Sequence, residues 1–136
     1  MTVYGTKRTE SEFEFVDRVE HPADMYELLK KSDLAISALP LNPTTRRSIG
    51  EEELFSIKKG GYFINISRGG VIREEALVKA LKEEHLAGAG LDVFQSEPLP
   101  EDSPFFQCPN LIMTPHIAGT YREFWNDLFR YLEHAL

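Results

Sequence analysis

Three polar side chains that suit acid–base chemistry each come shortly after a run of apolar residues. These are Arg68, Glu97 and His116. A planar guanidinium binds a carboxylate through paired hydrogen bonds. An imidazole can donate a proton to a carbonyl oxygen or remove one from a hydroxyl, and a carboxylate beside it stabilises the imidazolium. The three residue types together predict an acid–base site for a carbonyl substrate that carries a carboxylate.

Each of these residues, taken alone, has a common structural explanation. An arginine after a strand is often a surface cation, a glutamate before proline is often solvated, and a histidine between Pro115 and Ile117 often makes structural hydrogen bonds. Their shared position favours function, because the carboxyl ends of parallel strands meet at one edge of a sheet and ligands bind there. We therefore expect the three side chains to lie close together.

Short runs of branched and aromatic residues alternate with helical patterns along the chain, which predicts βα units and a mostly parallel sheet. The predicted strands are Thr2–Thr6, Leu34–Leu39, Tyr62–Ile66, Ala87–Val93 and Leu111–Met113. The predicted helices are Pro22–Lys31, Gly50–Ile57, Arg73–Glu84 and Thr120–Leu136. Residues 34–36 and 62–64 are apolar on both faces, which predicts strands covered by helices on both sides. The loops 40–45 and 95–109 then belong to the ligand-binding edge.

Apolar spacing in the helices predicts which faces are buried. In the third helix the inward positions are Ala76, Leu77, Ala80 and Leu81. The last helix has a wide apolar band, which favours core or interface packing over a ligand site. The band consists of Phe124, Trp125, Leu128, Phe129 and Leu132.

Composition narrows the class of protein. The chain has 136 residues, 42% of them hydrophobic and 27% charged, which is typical of one modest globular domain. A net charge of -7 argues against nucleic acid and against an anionic membrane surface as partners. The single cysteine, Cys108, and the absence of a signal-peptide pattern after Met1 predict a cytoplasmic location. The histidines are too scattered to predict a metal site.

The usual dinucleotide fingerprint, Gly-x-Gly-x-x-Gly, is absent. The nearest match is Gly88-Ala89-Gly90, which lacks the third glycine and lies within a predicted strand. We therefore interpret Gly88 and Gly90 as close-packing positions.

Residues 33–119 resemble the D-isomer-specific 2-hydroxyacid dehydrogenases almost continuously. The segments that carry the resemblance are 38–46 (ALPLNPTTR), 59–70 (KGGYFINISRGG), 88–94 (GAGLDVF), 97–100 (EPLP), 109–112 (PNLI) and 114–119 (TPHIAG). All of them occur in order and at the family's spacing. The resemblance implies a partial Rossmann-type, doubly wound parallel sheet and reduction of 2-oxo acids to D-2-hydroxy acids by NAD(P)H.

The resemblance also implies roles for individual residues. Arg68 would hold the substrate carboxylate, His116 would donate the proton in reduction, and Glu97 would pair with His116. Asp92 would contact the nicotinamide carboxamide. Further positions implied to line the cofactor are Leu39, Pro40 and Thr45 towards its adenosine and phosphate end. Around the nicotinamide the resemblance implies the backbone of Ile66 and Ser67, together with Arg68, His116, Ala118 and Gly119.

The segment after the first predicted strand bears on the choice of cofactor. NAD-dependent members of the family typically have an aspartate there, whereas this chain has Lys7 and Arg8. Cations at this position would bind a 2′-phosphate, so the sequence favours NADP over NAD. The alternative, that both cations are simply solvated, stays open. This strand ending resembles the glyoxylate/hydroxypyruvate reductase branch, which makes those 2-oxo acids the expected substrates.

Compared with the family pattern, residues 1–136 lack the first βα unit with its glycine-rich turn, and they lack the substrate domain. We therefore expect a fragment that is nearly inactive alone, from a parent enzyme that forms a homodimer. The competing hypothesis is a non-catalytic nucleotide-binding or interaction module, because a truncated sheet exposes a bare edge and apolar faces.

Overall fold

The computed structural model of the chain describes residues 1–8 and 13–135. It is an α/β structure. The strands are β1 (Tyr4–Thr6), β2 (Arg18–Glu20), β3 (Leu34–Ser37), β4 (Gly61–Asn65), β5 (Leu86–Leu91) and β6 (Leu111–Met113). The α-helices are α1 (Met25–Leu29), α2 (Glu51–Ser56), α3 (Glu74–Lys82) and α4 (Phe124–Ala135). Short 3-10 turns occupy Pro22–Asp24, Gly69–Val71 and Pro104–Gln107.

The strands form two parallel sheets, which confirms the predicted fold class. β1 pairs with β2, and the second sheet has the order β3-β4-β5-β6. Within the second sheet Asn65 at the end of β4 lies opposite Leu91 at the end of β5, and Leu91 lies opposite Met113 at the end of β6. The segments that follow these three strands therefore begin at the same edge.

Every predicted strand and helix has a counterpart, with bounds that differ by up to four residues at an end. β2 was not predicted, because it has only three residues and two of them are charged. The predicted helix at 22–31 begins as a 3-10 turn, where Nδ1 of His21 accepts the backbone N–H of Ala23 at 3.2 Å. Leu136, the predicted end of the last helix, lies outside the described residues.

The hydrophobic core lies between the second sheet and helices α2 and α3. All four inward positions predicted for α3 are buried. Leu54 of α2 is buried beside them and packs in the same cluster as Phe63 of β4 and Leu91 of β5. This layer fixes the sheet, and with it the edge from which the candidate site residues extend.

The opposite face of the sheet contradicts the prediction that helices cover both sides. Ile36 is 57% exposed, Tyr62 is 53% exposed and Leu34 is also exposed. The reason is that α2 and α3 both pack on the other face. α4 does not fill the gap, since Trp125 and Phe129 are 64% and 60% exposed. The prediction that the apolar band of the last helix packs in the core is therefore wrong for Trp125 and Phe129. That the band packs in an interface stays a prediction.

The two glycines of β5 behave differently. A Cβ at Gly88 would lie 2.8 Å from the carbonyl oxygen of Asn110, which confirms close packing at that position. A Cβ at Gly90 would meet only ordinary contacts, the nearest being Ile64 at 3.7 Å. The close-packing interpretation is therefore wrong for Gly90.

Candidate active site

Arg68 follows β4 after Ile66 and Ser67, and a glycine fixes the path of its loop. A Cβ at Gly69 would lie 1.9 Å from the carbonyl carbon of Phe94, so no other residue fits there without moving the backbone. This close approach brings the loop that carries Arg68 against the loop that carries Glu97. The Arg68 guanidinium donates from Nη1 to the Ser67 carbonyl at 2.7 Å and remains exposed.

Glu97 and His116 form a hydrogen-bonded pair. Oε2 of Glu97 lies 2.8 Å from Nδ1 of His116, and Oε1 accepts the backbone N–H of Phe94 at 2.9 Å. The hydrogen bond from His116, followed by the one from Phe94, lowers the pKa of the Glu97 carboxyl. Glu97 is therefore ionised at neutral pH, and His116 presents Nε2 rather than Nδ1 to any substrate.

Asp92 holds the turn that carries His116. His116 has a φ of 55°, a left-handed conformation that is uncommon outside glycine. The Asp92 carboxylate accepts the Thr114 hydroxyl at 2.5 Å and the backbone N–H groups of Ile117 and Ala118, each at 2.9 Å. Burial raises the pKa of Asp92, but these hydrogen bonds outweigh burial and lower it. An ionised, buried Asp92 thus stabilises this turn.

The structure brings Arg68, Glu97 and His116 together. All three line one cleft with about 730 Å³ of empty space, open to solvent. Its wall also includes Arg46 and Arg47. The cleft therefore combines a guanidinium, a carboxylate and an imidazole, the groups that acid–base chemistry on a carboxylate-bearing carbonyl compound uses.

Several residues that shape this site were not identified from the sequence. Arg46 and Arg47 line the cleft, and Arg47 also forms an ion pair with Glu75. Their adjacent charges were a usable signal, although nothing in the sequence placed them at this edge. Gly69 gave no separate signal, because its close contact with Phe94 depends on two distant loops meeting.

Beneath the Arg68 loop lies a buried polar network. The Ser67 hydroxyl donates to Oδ1 of Asn65 at 2.5 Å, and the same oxygen accepts the Ser67 backbone N–H. The Ser67 hydroxyl also lies 3.2 Å from that of Ser37 on β3. Ser67 is therefore buried, whereas its neighbour Ile66 is 47% exposed at the sheet edge.

The residues expected at the adenosine end of the cofactor lie at the carboxyl ends of β1 and β3. Nη2 of Arg8 donates to the Thr44 hydroxyl at 2.7 Å, and the ammonium of Lys7 lies 4.9 Å from the centre of the Phe13 ring. Thr45 closes the loop after β3 by donating to the carbonyl of Pro40 at 2.6 Å. Thr44, which contacts Arg8, was not identified from the sequence.

The described residues fit the two ends of a dinucleotide. At one end the Arg8 guanidinium is held against the loop after β3, at hydrogen-bonding distance from Thr44. At the other end Ile66, Ala118 and Gly119 are exposed in the segments that carry Arg68 and His116. Leu39 is half-buried and lines a groove together with residues of β1. A glycine-rich phosphate turn does not occur within the described sequence.

Within residues 1–8 and 13–135, no three His, Cys, Asp or Glu side chains come together as ligands for a metal ion. In the same residues no helix has the length and apolar character needed to cross a membrane.

Residues of this chain are similar to those of several known proteins. The model of the D-isomer specific 2-hydroxyacid dehydrogenase NAD binding domain matches residues 1–118. Glyoxylate/hydroxypyruvate reductase B of Pectobacterium carotovorum is 40% identical over 126 residues, which cover 93% of this chain and 39% of that protein. Glyoxylate reductase of Thermofilum pendens is 50% identical over 96 residues, covering 71% of this chain and 28% of that protein.

Solved structures of proteins from the same family are also similar to this chain. An NADPH-dependent glyoxylate/hydroxypyruvate reductase from Sinorhizobium meliloti, in complex with NADP and sulfate, matches with a TM-score of 0.85 at 33% identity, over 98% of this chain and 43% of that one. A D-isomer specific 2-hydroxyacid dehydrogenase from Xanthobacter autotrophicus, in complex with NADPH and MES, matches with a TM-score of 0.83 at 35% identity, covering 98% and 57%. The chain spans less than half the length of the relatives it matches in sequence. It belongs to the D-isomer specific 2-hydroxyacid dehydrogenase family, and its residues 1–118 match that family's NAD binding domain.

Proposed function

We propose that this chain provides the acid–base half of an NAD(P)H-dependent reductase of 2-oxo acids. The observation that carries the proposal is the 2.8 Å contact between Glu97 and His116 in the cleft that Arg68 also lines. These residues form a carboxylate anchor beside a proton donor, which is the minimum that reduction of a 2-oxo acid needs from the protein.

In this proposal each side chain has one task. Arg68 binds the substrate carboxylate and orients the adjacent carbonyl towards His116. His116 donates the proton from Nε2 to the carbonyl oxygen, since Nδ1 is engaged by Glu97. Glu97 holds the ring orientation of His116 through its hydrogen bond to Nδ1. The nicotinamide cofactor, when bound, supplies the hydride.

The cofactor side of the proposal assigns Arg8 to a 2′-phosphate and so favours NADP over NAD. The support is its position at the carboxyl end of β1, where it contacts Thr44. Ile66, Ser67, Ala118 and Gly119 would surround the nicotinamide, with Asp92 accepting from the carboxamide. Pro40 and Thr45 would flank the adenosine and phosphates. Relatives named glyoxylate and hydroxypyruvate reductases support those substrates. We further propose a cytoplasmic parent enzyme that forms a homodimer.

A chimera tests this proposal with the chain's own residues. The chain replaces the matched segment of the Pectobacterium carotovorum reductase, and oxidation of NADPH is followed with glyoxylate or hydroxypyruvate. We expect turnover, and we expect Arg68→Lys to raise the substrate KM about tenfold or more, because an ammonium cannot make the paired contact. Turnover at an unchanged KM in the Arg68→Lys chimera would exclude the assigned role of Arg68.

An interaction module is the second candidate. The observation that favours it is the bare apolar sheet face at Ile36 and Tyr62, with an aromatic helix, α4, exposed in the same chain. A properly folded chimera with no turnover on either 2-oxo acid, and no binding of NADPH or NADH, would favour this candidate over catalysis.

A further inference from the structure

The cleft that Arg68, Glu97 and His116 line is cationic, although the chain as a whole is acidic. The chain has a net charge of -7, yet two further arginines, Arg46 and Arg47, lie in the wall of the cleft. Among the described residues that line it, Glu97 is the only carboxylate, and Glu97 is hydrogen-bonded to His116. A cleft with an excess of one sign of charge attracts ligands of the opposite sign. This cleft therefore suits a ligand with more than one negative charge.

The three arginines differ in the partners of their guanidinium groups. Arg47 forms an ion pair with Glu75 of α3, which offsets its charge. Nη1 of Arg68 donates to the Ser67 carbonyl, a neutral acceptor, so Arg68 keeps its charge for the substrate carboxylate. Within the part of the chain that the structure describes, no hydrogen bond or ion pair engages the guanidinium of Arg46. Arg46 thus gives the cleft a second cation that is not paired with a carboxylate of the described residues.

Backbone hydrogen bonds hold Arg46 against the loop that carries Arg68. The Arg46 N–H donates to the Asn42 carbonyl at 2.9 Å. The next N–H along the chain, that of Arg47, donates to the Gly70 carbonyl at 2.8 Å, and Gly70 lies two residues after Arg68. A Cβ on Gly70 would lie 3.9 Å from Nη1 of Arg46, so the guanidinium extends to this glycine. Two segments that are separate in the sequence therefore each present an arginine to the same cleft.

The backbone next to Arg46 has a conformation that non-glycine residues seldom adopt. Arg47 has a φ of 53°, and His116 has a φ of 55°. Left-handed backbone is unfavourable for residues with a side chain, and it tends to occur where a functional site requires it. Both residues line this cleft. The conformation of Arg47 therefore supports a functional placement of residues 46–47.

We propose that Arg46 determines substrate specificity by binding a second carboxylate, so that the cleft favours 2-oxo dicarboxylic acids over 2-oxo acids with one carboxylate. The inference rests on the proposed function, in which Arg68 binds the first carboxylate and His116 protonates the carbonyl oxygen. A guanidinium suits this task because it is always charged and pairs with a carboxylate through two parallel hydrogen bonds. Glyoxylate has a single carboxylate and would leave Arg46 without a partner.

Two hydroxy acids that differ by one carboxylate test the inference on the 136-residue chain. D-lactate carries one carboxylate and D-malate carries two, and both correspond to products of the proposed type of reaction. Affinities are measured by NMR at constant ionic strength, from the shifts of the arginine Nε–Hε signals. We expect D-malate to bind about tenfold more tightly, because a hydrogen bond between charged groups contributes about that factor or more. D-malate should shift the signals of Arg46 and Arg68, whereas D-lactate should shift mainly that of Arg68.

Three substitutions separate a specific contact from general attraction of anions. Arg46→Ala should lower the ratio of D-malate to D-lactate affinity about tenfold, because it removes the second anchor. Arg46→Lys keeps the charge but loses the paired geometry, and it should lower the ratio by a smaller factor. Arg18→Ala removes the same charge from β2, outside the lining of the cleft, and should leave the ratio as it is in the original chain.

The inference is overturned if the chain binds D-malate no more tightly than D-lactate, or if it binds neither. It is also overturned if Arg18→Ala lowers the affinity ratio as much as Arg46→Ala does. In that case the preference for the dicarboxylate would reflect the net charge of the chain and not a contact with Arg46.

The chimera distinguishes this inference from the proposed reaction on which it rests. In an active chimera, kcat/KM for oxaloacetate relative to that for glyoxylate should fall about tenfold in Arg46→Ala. An unchanged ratio would overturn the role of Arg46 and leave the proposed reaction in place. A chimera with no turnover on any 2-oxo acid would contradict the reaction, and the binding of D-malate to the 136-residue chain would still decide whether Arg46 binds the second carboxylate.

Discussion

The Glu97 carboxylate bridges two loops of the sheet edge, with Oε2 lying 2.8 Å from His116 Nδ1 while Oε1 accepts the backbone N–H of Phe94. Because the pKa of Glu97 is lowered, this bridge is fully formed above the ordinary glutamate pKa of about 4.5 and is lost as the pH falls through the lowered value. The pair is partly exposed, so its contribution to global stability is small.

His116→Gln should therefore raise the pKa of Glu97 towards its ordinary value, because the largest cause of the lowering is the hydrogen bond from His116. The measurement is a carbon-13 NMR titration of the Glu97 carboxyl in the 136-residue chain. His85→Gln is the matched control, since His85 stacks on Phe55 away from this cleft. A Glu97 pKa that is the same in the original chain and in His116→Gln would mean that the pair does not form in solution.

Asp92→Asn should loosen the turn that carries His116. An amide cannot accept from both the Ile117 and Ala118 N–H groups as the carboxylate does, and a polar group left unpaired at the buried Asp92 position costs about 2 kcal/mol. Urea unfolding should show a loss of about that size, with shifted amide signals for Ile117 and Ala118. Asp33→Asn, an exposed partner of Lys58, should change the unfolding free energy by less than about 1 kcal/mol. Equal effects of the two substitutions would contradict the assigned role of Asp92.

The same carboxylate gives a pH dependence with a defined sign. The pKa of Asp92 is lowered on folding, so its contribution is present above the ordinary value of 3.8 and is lost as the pH falls through the folded value. We expect the original chain to lose its stability advantage over Asp92→Asn as the pH is lowered through this range, in urea unfolding measured at several pH values. An advantage that persists at the lowest pH would show that ionisation of Asp92 is not its source.

Gly69→Ala should separate the Arg68 loop from the Glu97 loop. The added Cβ would overlap the Phe94 backbone, and forced packing of this kind costs about 1–3 kcal/mol. Gly90→Ala adds a Cβ that meets only ordinary contacts and should be tolerated within about 1 kcal/mol. Thermal unfolding of the two variants compares them, and the account of Gly69 fails if Gly69→Ala is no less stable than Gly90→Ala.

Arg8→Ala should reduce the preference of the chimera for NADPH over NADH by about tenfold or more, because it removes a charge-assisted contact with the 2′-phosphate. Affinities for the two cofactors, measured by fluorescence titration, give the ratio. Arg130→Ala, an exposed cation of α4, serves as the control. An unaltered ratio in Arg8→Ala would support the alternative that Arg8 takes no part in cofactor binding.

The sequence was most informative where one chain segment determines the structure. The apolar runs predicted where β4, β5 and β6 end, and Arg68, Glu97 and His116 lie in the segments that follow those ends. This was possible because the spacing of apolar residues and the length of a strand are local properties of the sequence. β2 was not predicted because two of its three residues, Arg18 and Glu20, are charged. It is a strand because it pairs with β1, and that pairing depends on a second segment of the chain.

Properties that depend on two distant segments were not predictable in this way. The contact between Gly69 and Phe94, the Arg8–Thr44 hydrogen bond and the bare face at Tyr62 each depend on how separate elements pack. A strand of apolar residues has the same sequence pattern whether helices cover one of its faces or both. Residues 62–64 therefore could not show that only one face of the sheet is covered.

The central claim, that His116 is the proton donor for a 2-oxo acid anchored by Arg68, is tested most directly by His116→Gln in the chimera. The measurement is steady-state reduction of glyoxylate with NADPH, with cofactor affinity determined on the same sample. We predict that kcat falls about a hundredfold or more while NADPH affinity is nearly unchanged, and that His21→Gln retains full activity. Undiminished turnover in His116→Gln would contradict the account.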